Sequence, residues 1–316
     1  MNHLQHALEL AERGRETVEH THPVVGAVLV DDRGAVVGEG WYTGAGAPHA
    51  EVAALEAAAG RARGATLYVS LEPCSHHGRT PPCADALVEA GVARVVAAAA
   101  DPNPKVNGRG FARLREDGVD VEVVDLWEAR RQNEAWRVWI SQGRPFVTYK
   151  AAATLDGRVT VPDSRWVSGQ AARRVVHELR AEADAVAVGM GTARADRPQL
   201  TARDVDAERQ PRRLVFGRPP LPDGLELELR SGPLEEELAT LAREGVRSLL
   251  LEGGPTLASA FLRADLVDKL LVFVAPRVSG EGPRVFAESG PAVEARRLDV
   301  RPIGEDVLLT AYVHDP

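Results

Sequence analysis

The sequence predicts two α/β domains in succession, and three observations carry that expectation. At 316 residues the chain is about twice the length of a common domain of roughly 150. Short apolar runs of strand length alternate with amphipathic stretches of helix length, the pattern of sheets covered by helices. Near the middle, Gly143 and Pro145 stop a helical stretch, and a fresh strand pattern begins at Phe146. The expected domains are therefore 1–143 and 144–316.

In the first domain, residues 2–14 place Leu4, Ala7, Leu8 and Ala11 on one helical face, with Gly14 near the end. Val24–Val30 and Ala35–Glu39 flank a DDRG turn and read as a hairpin. Glu51–Arg63 is Ala-rich and predicts a helix closing at Gly64. Strands follow at Thr66–Leu71, Arg94–Ala99 and Val119–Val124, with helices at Cys83–Ala90 and Gly108–Asp117. One helix from Leu126 to Gln142 carries Trp127, Trp136 and Trp139, whose simplest use is packing. The second domain opens with the strand Phe146–Ala151 and a TLDG turn. Helices are expected at Gln170–Ala183, Leu234–Glu244 and Pro255–Arg263. Strands are expected at Ala185–Val188, Arg213–Phe216, Ser248–Leu251, Lys269–Ala275 and Asp306–Tyr312. Residues 217–233, with GRPPLP and SGP, form a turn-rich stretch.

Hydrophobic residues make up 44% and charged ones 27%, which excludes a disordered chain. A net charge of −8 argues against nucleic acid as a partner. No run approaches the roughly 18 apolar residues of a membrane span, and MNHLQHALELAERGRE lacks a basic-then-apolar leader. Two cysteines are too few for a disulfide scaffold and suit a reducing compartment. The expectation is a cytoplasmic enzyme acting on a small molecule, with homo-oligomerisation left open. Only Lys105, Lys150 and Lys269 are lysines among 38 basic residues, so a lysine here is a better candidate for chemistry than an arginine.

The strongest chemical signal is PHAE at 48–51, followed by EPC at 72–74 and PPC at 81–83. One imidazole (His49) and two thiolates (Cys74, Cys83) are three ligands for Zn²⁺, leaving its fourth tetrahedral position open for water. Glu51, two residues after the first ligand, sits in the first turn of a helix, where it would shuttle a proton. A closed structural zinc site with His76 or His77 as fourth ligand is the alternative, but it leaves Glu51 without a reason. The H-x-E…P-C…C order is that of zinc-dependent nucleobase deaminases.

LEPCSHHGRTPPC, preceded by AGAPHAEVAAL and followed by DPNPKVNGRG, resembles the deaminase domain of the bifunctional riboflavin-biosynthesis family. That family joins a diaminohydroxyphosphoribosylaminopyrimidine deaminase to a 5-amino-6-(5-phosphoribosylamino)uracil reductase, and the resemblance covers nearly the whole chain. It implies a cytidine-deaminase-like three-layer zinc domain followed by a dihydrofolate-reductase-like α/β domain. It also implies that His76, Arg79, Thr80, Asp101 and Asn103 contact the phosphorylated pyrimidine. Family members commonly carry Asn in an NPxVG motif where this chain reads HPVVG, which puts His22 against the base.

In the second half, YKAAATLDGRVT, DSRWVSG, VGMGTARADRPQLTAR and LEGGPTLASAFL resemble the family's reductase. Gly253-Gly254-Pro255-Thr256 is a glycine turn opening a helix, whose bare N–H groups suit a phosphate. The resemblance implies an NADPH site at Ala152, Trp166, Thr192, Asp196, Gly254, Pro255 and Thr256, running on to Ala260. Ser164, Arg180, Leu200, Arg203 and Glu252 would meet substrate, with Lys150 and Asp156 near the ribose during hydride transfer. The chain departs from the family at Arg197 (DRP for DNP), at Phe216-Gly217-Arg218, and in a shortened 217–246 segment. The expected function is zinc-dependent deamination of 2,5-diamino-6-ribosylamino-4(3H)-pyrimidinone 5′-phosphate, then NADPH reduction of its ribosyl chain. The alternative is the same deaminase with a weakened or inactive reductase half.

Overall fold

A computed structural model describes residues 2–15, 17, 22–76, 81–162, 164–287 and 290–316. The chain divides into two compact units, residues 1–142 and 143–315.

The first unit runs α1 (His3–Arg13), β1 (Gly26–Val30), β2 (Val36–Trp41), α2 (Ala50–Ala58), β3 (Thr66–Val69), α3 (Cys83–Glu89), β4 (Arg94–Ala97), α4 (Arg109–Glu116), β5 (Asp120–Val123), α5 (Trp127–Gln132) and α6 (Glu134–Gln142). Its sheet has the order β2-β1-β3-β4-β5, antiparallel about β1 and parallel from β3 to β5. Strand alternation serves two cores, because successive side chains leave opposite faces. Ala27, Leu29, Leu67, Val69, Val95 and Ala97 face the apolar sides of α2, α3 and α4. Val28 and Val30 meet Ala7 and Leu10 of α1, while Val96 joins Leu4, Leu8 and Ala129. The result is three layers. The second layer contact is unusually close: a Cβ at Gly40 would lie 2.3 Å from the Ala50 carbonyl oxygen, so only glycine lets α2 seat on β2.

The second unit runs β6 (Phe146–Thr154), α7 (Gln170–Glu182), β7 (Ala185–Gly189), α8 (Met190–Asp196), β8 (Arg212–Phe216), β9 (Glu228–Arg230), α9 (Leu234–Arg243), β10 (Ser248–Leu251), α10 (Pro255–Arg263), β11 (Lys269–Ala275), β12 (Arg296–Ile303) and β13 (Asp306–Tyr312). The sheet order is β12-β13-β11-β6-β10-β7-β8-β9, parallel from β11 to β9 and antiparallel through β13 and β12. Strands in its middle are apolar on both sides, as a sheet covered on both faces requires. Tyr149, Leu214, Leu249 and Leu251 pack with Leu238, Leu241 and Phe261 of α9 and α10. Val186, Val188, Val215 and Leu250 pack with Met190, Ala193 and Leu200. No helix among the described residues is long and apolar enough to cross a membrane.

Five elements differ from expectation. The helix expected over Glu51–Arg63 ends at Ala58, because Ala59 (φ 48) and Gly60 (φ 85) turn left-handed and close the helix five residues early. The single helix expected from Leu126 to Gln142 is two, broken at Asn133. There the Asn133 side chain accepts from Val24 N at 2.9 Å and donates to Val24 O at 3.0 Å, a long-range pairing that no local pattern announces. Strands β9 and β12 and helix α8 were not anticipated; β12 is exposed almost throughout and lacks the alternation that marks a strand in sequence.

Candidate active sites

In the first unit, His49 is the N-cap of α2, so its side chain stands at the helix mouth and Glu51 follows in the first turn. Cys83 opens α3, and Cys74 lies on the segment leaving β3. His49 Nδ1 lies 3.6 Å from Cys74 Sγ and 3.3 Å from Cys83 Sγ, and the three ligand atoms fall within 4.8 Å of one another. Zn–S bonds of about 2.3 Å and Zn–N bonds of about 2.0 Å put tetrahedral ligands roughly 3.5 Å apart, so this donor set fits zinc. Cys83 N donates to Cys74 Sγ at 3.4 Å, which favours the thiolate. Among the described residues, these three alone form such a group; His77 lies outside them.

Glu51 is 3% exposed, and burial, reinforced by Cys74, pushes its carboxyl up to about 7. A cavity of about 660 Å³ opens beside it. Its lining includes His22, Tyr42, His49, Glu51, Cys74, His76, Asp101, Asn103, Trp136 and Trp139. The structure thus gathers His22, His76, Asp101 and Asn103 around the metal group; Arg79 and Thr80 lie outside the described residues. Asp101 also braces its own loop, accepting from Asn103 N at 2.7 Å, and burial pushes its carboxyl up to about 6. Sequence reasoning assigned Trp136 and Trp139 to packing. Both reach the cavity, together with Ile140, and the legible signal was their i, i+3, i+4 spacing on one face of α6.

In the second unit, β6 and β10 are parallel neighbours with Leu251 opposite Tyr149, so the next residues, Lys150 and Glu252, come side by side. Lys150 Nζ lies 3.3 Å from Glu252 Oε2, and Arg180 of α7 binds the same carboxylate through Nε (2.6 Å) and Nη2 (3.0 Å). The Glu252 side chain is 8% exposed. Burial pushes its pKa up, but the two cations outweigh it and hold the carboxyl at about 2. Arg180 also donates to Thr201 O at 3.2 Å, so most of its fork is already engaged within the protein. Arg203 N donates to His177 Nδ1 at 3.2 Å, and its guanidinium meets Gln199; His177 was not anticipated from sequence.

Leu200 is 2% exposed, and its side chain packs in the core with Val186 and Val188. Asp156 accepts from Thr154 Oγ1 (2.6 Å), Ser279 N (3.0 Å) and Gly280 N (2.8 Å), so its carboxylate braces the TLDG turn. Ser164 exchanges hydrogen bonds with the Trp166 backbone. Trp166 is half exposed, with Arg165 and Arg173 each 5.1 Å from its ring. Gly254 caps α10 with Pro255 at its first position, and the Thr192 hydroxyl lies 3.5 Å from where a Gly254 Cβ would stand. Bare helix N–H groups beside a hydroxyl fit a cofactor phosphate. Thr256 and Asp196 are exposed, and Ala152 packs toward Phe273 and Val176. Arg197 (φ 43) donates to the Asp223 carbonyl, tying the departed DRP motif to the shortened segment; Arg218 is exposed.

Matches to known proteins give each half a class. Residues 1–99 match the cytidine and deoxycytidylate deaminase zinc-binding region, and residues 145–309 match the RibD C-terminal domain. A zinc-binding deaminase domain is joined to a reductase domain of the NADPH-using kind. The riboflavin biosynthesis protein RibD of Aquifex aeolicus (strain VF5) is 38% identical, over 98% of this chain and 97% of its own. The Acinetobacter baumannii RibD structure superposes with a TM-score of 0.81 at 37% identity, covering 98% of this chain and 97% of that one. The Thermotoga maritima diaminohydroxyphosphoribosylaminopyrimidine deaminase/5-amino-6-(5-phosphoribosylamino)uracil reductase does so at 0.78 and 33%, with coverage of 98% and 97%. The chain belongs to the RibD family and is a bifunctional deaminase–reductase of riboflavin biosynthesis.

Proposed function

We propose that the first unit deaminates 2,5-diamino-6-ribosylamino-4(3H)-pyrimidinone 5′-phosphate and that the second reduces the ribosyl chain of the product. The observation that carries the first assignment is His49 Nδ1 set between two cysteine sulfurs with Glu51 buried alongside. His49, Cys74 and Cys83 hold zinc, which when bound supplies Lewis-acid activation of water. Glu51 takes the proton from that water as its oxygen adds to the amino-bearing carbon, and delivers it to the nitrogen that leaves as ammonia. Trp136 and Trp139 wall the ring, while His22, Asp101 and Asn103 offer it hydrogen bonds. His76, with Arg79 and Thr80, is assigned to the ribose phosphate. The acidic chain favours this small ligand over nucleic acid.

NADPH, when bound in the second unit, would supply the hydride for C1 of the opened ribose. Lys150, held by Glu252, supplies the proton that the adjoining nitrogen takes up. Thr192, Gly254, Pro255 and Thr256 receive the cofactor phosphates, with Trp166, Ala152 and Asp196 completing that site. Domains of 1–143 and 144–316 carry the two reactions. The test is incubation of the purified chain with the phosphorylated diaminopyrimidine, with and without NADPH, and product identification by mass. Ammonia and the oxo product are expected without NADPH, and the ribitylamino product with it. No ammonia release from zinc-loaded protein defeats the first assignment; NADPH left unconsumed by the deaminated product defeats the second.

A further inference from the structure

Glu72 has no part in the chemistry above, yet its carboxylate gathers four backbone donors. Oε2 accepts from Asp101 N (3.2 Å) and Gly108 N (3.0 Å), and Oε1 accepts from Gly110 N (3.0 Å) and Phe111 N (3.4 Å). Its own N–H donates to Ala99 O at 3.0 Å, and the residue is 3% exposed at the edge of the cavity. Pro73 alone separates it from the ligand Cys74. The Pro73 carbonyl in turn lies against Gly110, where a Cβ would stand 1.9 Å from that oxygen. Arg137 of α6 also donates to Ala100 O at 2.9 Å. The loop that brings Asp101 and Asn103 into the cavity is thus fastened to the cysteine-bearing segment by one side chain.

A carboxylate suits this post because both its oxygens only accept. Glutamine in the same place would turn its NH₂ toward two N–H groups whichever way it faced. We propose that Glu72 is a positioning residue for substrate recognition, locking the Asp101–Asn103 wall in register with the metal-ligand segment so that the wall can bind the pyrimidine. The proposal deepens the deaminase reading and rests on it.

The test is steady-state deamination by the full-length zinc enzyme and its Glu72→Gln variant, with zinc content and reductase kinetics measured alongside. A misplaced wall weakens binding of ground state and transition state alike, so KM is expected to rise about tenfold while kcat stays within about threefold. Zinc content and reduction are expected to stay at the wild-type level. An unchanged KM with zinc retained overturns the proposal. So does a kcat that falls together with the zinc while KM holds, since Glu72 would then serve the ligand segment alone. If Glu72→Gln does not fold, Gly108→Ala decides. Gly108 sits at φ 82 with nothing within 4 Å of an added Cβ, so alanine there strains the loop without a clash. A KM raised about threefold with zinc kept supports the proposal, and an unmoved KM overturns it. Wild-type protein that releases no ammonia would instead count against the deaminase reading itself.

Discussion

Glu51 and Glu252 are buried carboxyls, one in each unit, and their neighbours send them opposite ways. At Glu51 burial dominates, Cys74 adds to it, and the carboxyl rises to about 7. At Glu252 burial acts in the same sense, but Lys150 and Arg180 reverse it and hold the carboxyl at about 2. Burial sets how large an effect can be, and the adjacent charges set its sign. The first carboxyl is suited to passing a proton, and the second is a fixed anion that organises two cations.

The largest effect is expected at Glu51. Glu51→Gln should cut deamination by about 10³-fold or more while zinc content and reduction stay intact. Ammonia assays beside metal analysis check this, and surviving ammonia release would break the contrast. Glu252→Gln should leave Lys150 and Arg180 facing each other without their anion and destabilise the second unit by about 3 kcal/mol. NADPH oxidation should fall while ammonia release persists, read from paired assays and denaturant melts.

The pH response sharpens the same contrast. The folded value of Glu252, about 2, lies below its ordinary 4.5. Its contribution is therefore complete above pH 4.5 and is lost as the pH falls toward 2. Asp101 is the reverse: its folded value of about 6 lies above its ordinary 3.8. Its contribution is complete below pH 3.8 and is lost as the pH rises through 6. Denaturation of the wild type and Asp101→Asn between pH 4 and 6 should show a slope from Asp101 that the variant lacks; equal slopes would remove Asp101 from the account. The smallest effect is Asn133→Ala, which deletes two hydrogen bonds to Val24 and should cost the first unit about 1–2 kcal/mol without separating the two activities.

Much of the site was readable because its chemistry is local. PHAE puts a ligand at a helix cap and an acid in the next turn, and cysteines so scarce in the chain have few other uses. Helix α2 was placed correctly at its start and wrongly at its end, since left-handed Ala59 gives no compositional warning. Trp136 and Trp139 looked like packing because an aromatic stripe on a helix is the same whether it meets a core or a cavity. The burial of the Leu200 side chain among Val186 and Val188 was likewise invisible before the sheet closed over it.

Residue type and short spacing by themselves determined the metal donors, the acid beside them, the glycine turn at α10 and the succession of two α/β domains. Tertiary structure alone decided which distant groups meet. Glu252 finds Arg180 across 72 residues, and Glu72 finds Gly110 across 38. Such pairings follow from strand register and helix seating, which are fixed cooperatively by the whole core rather than by any segment's own pattern.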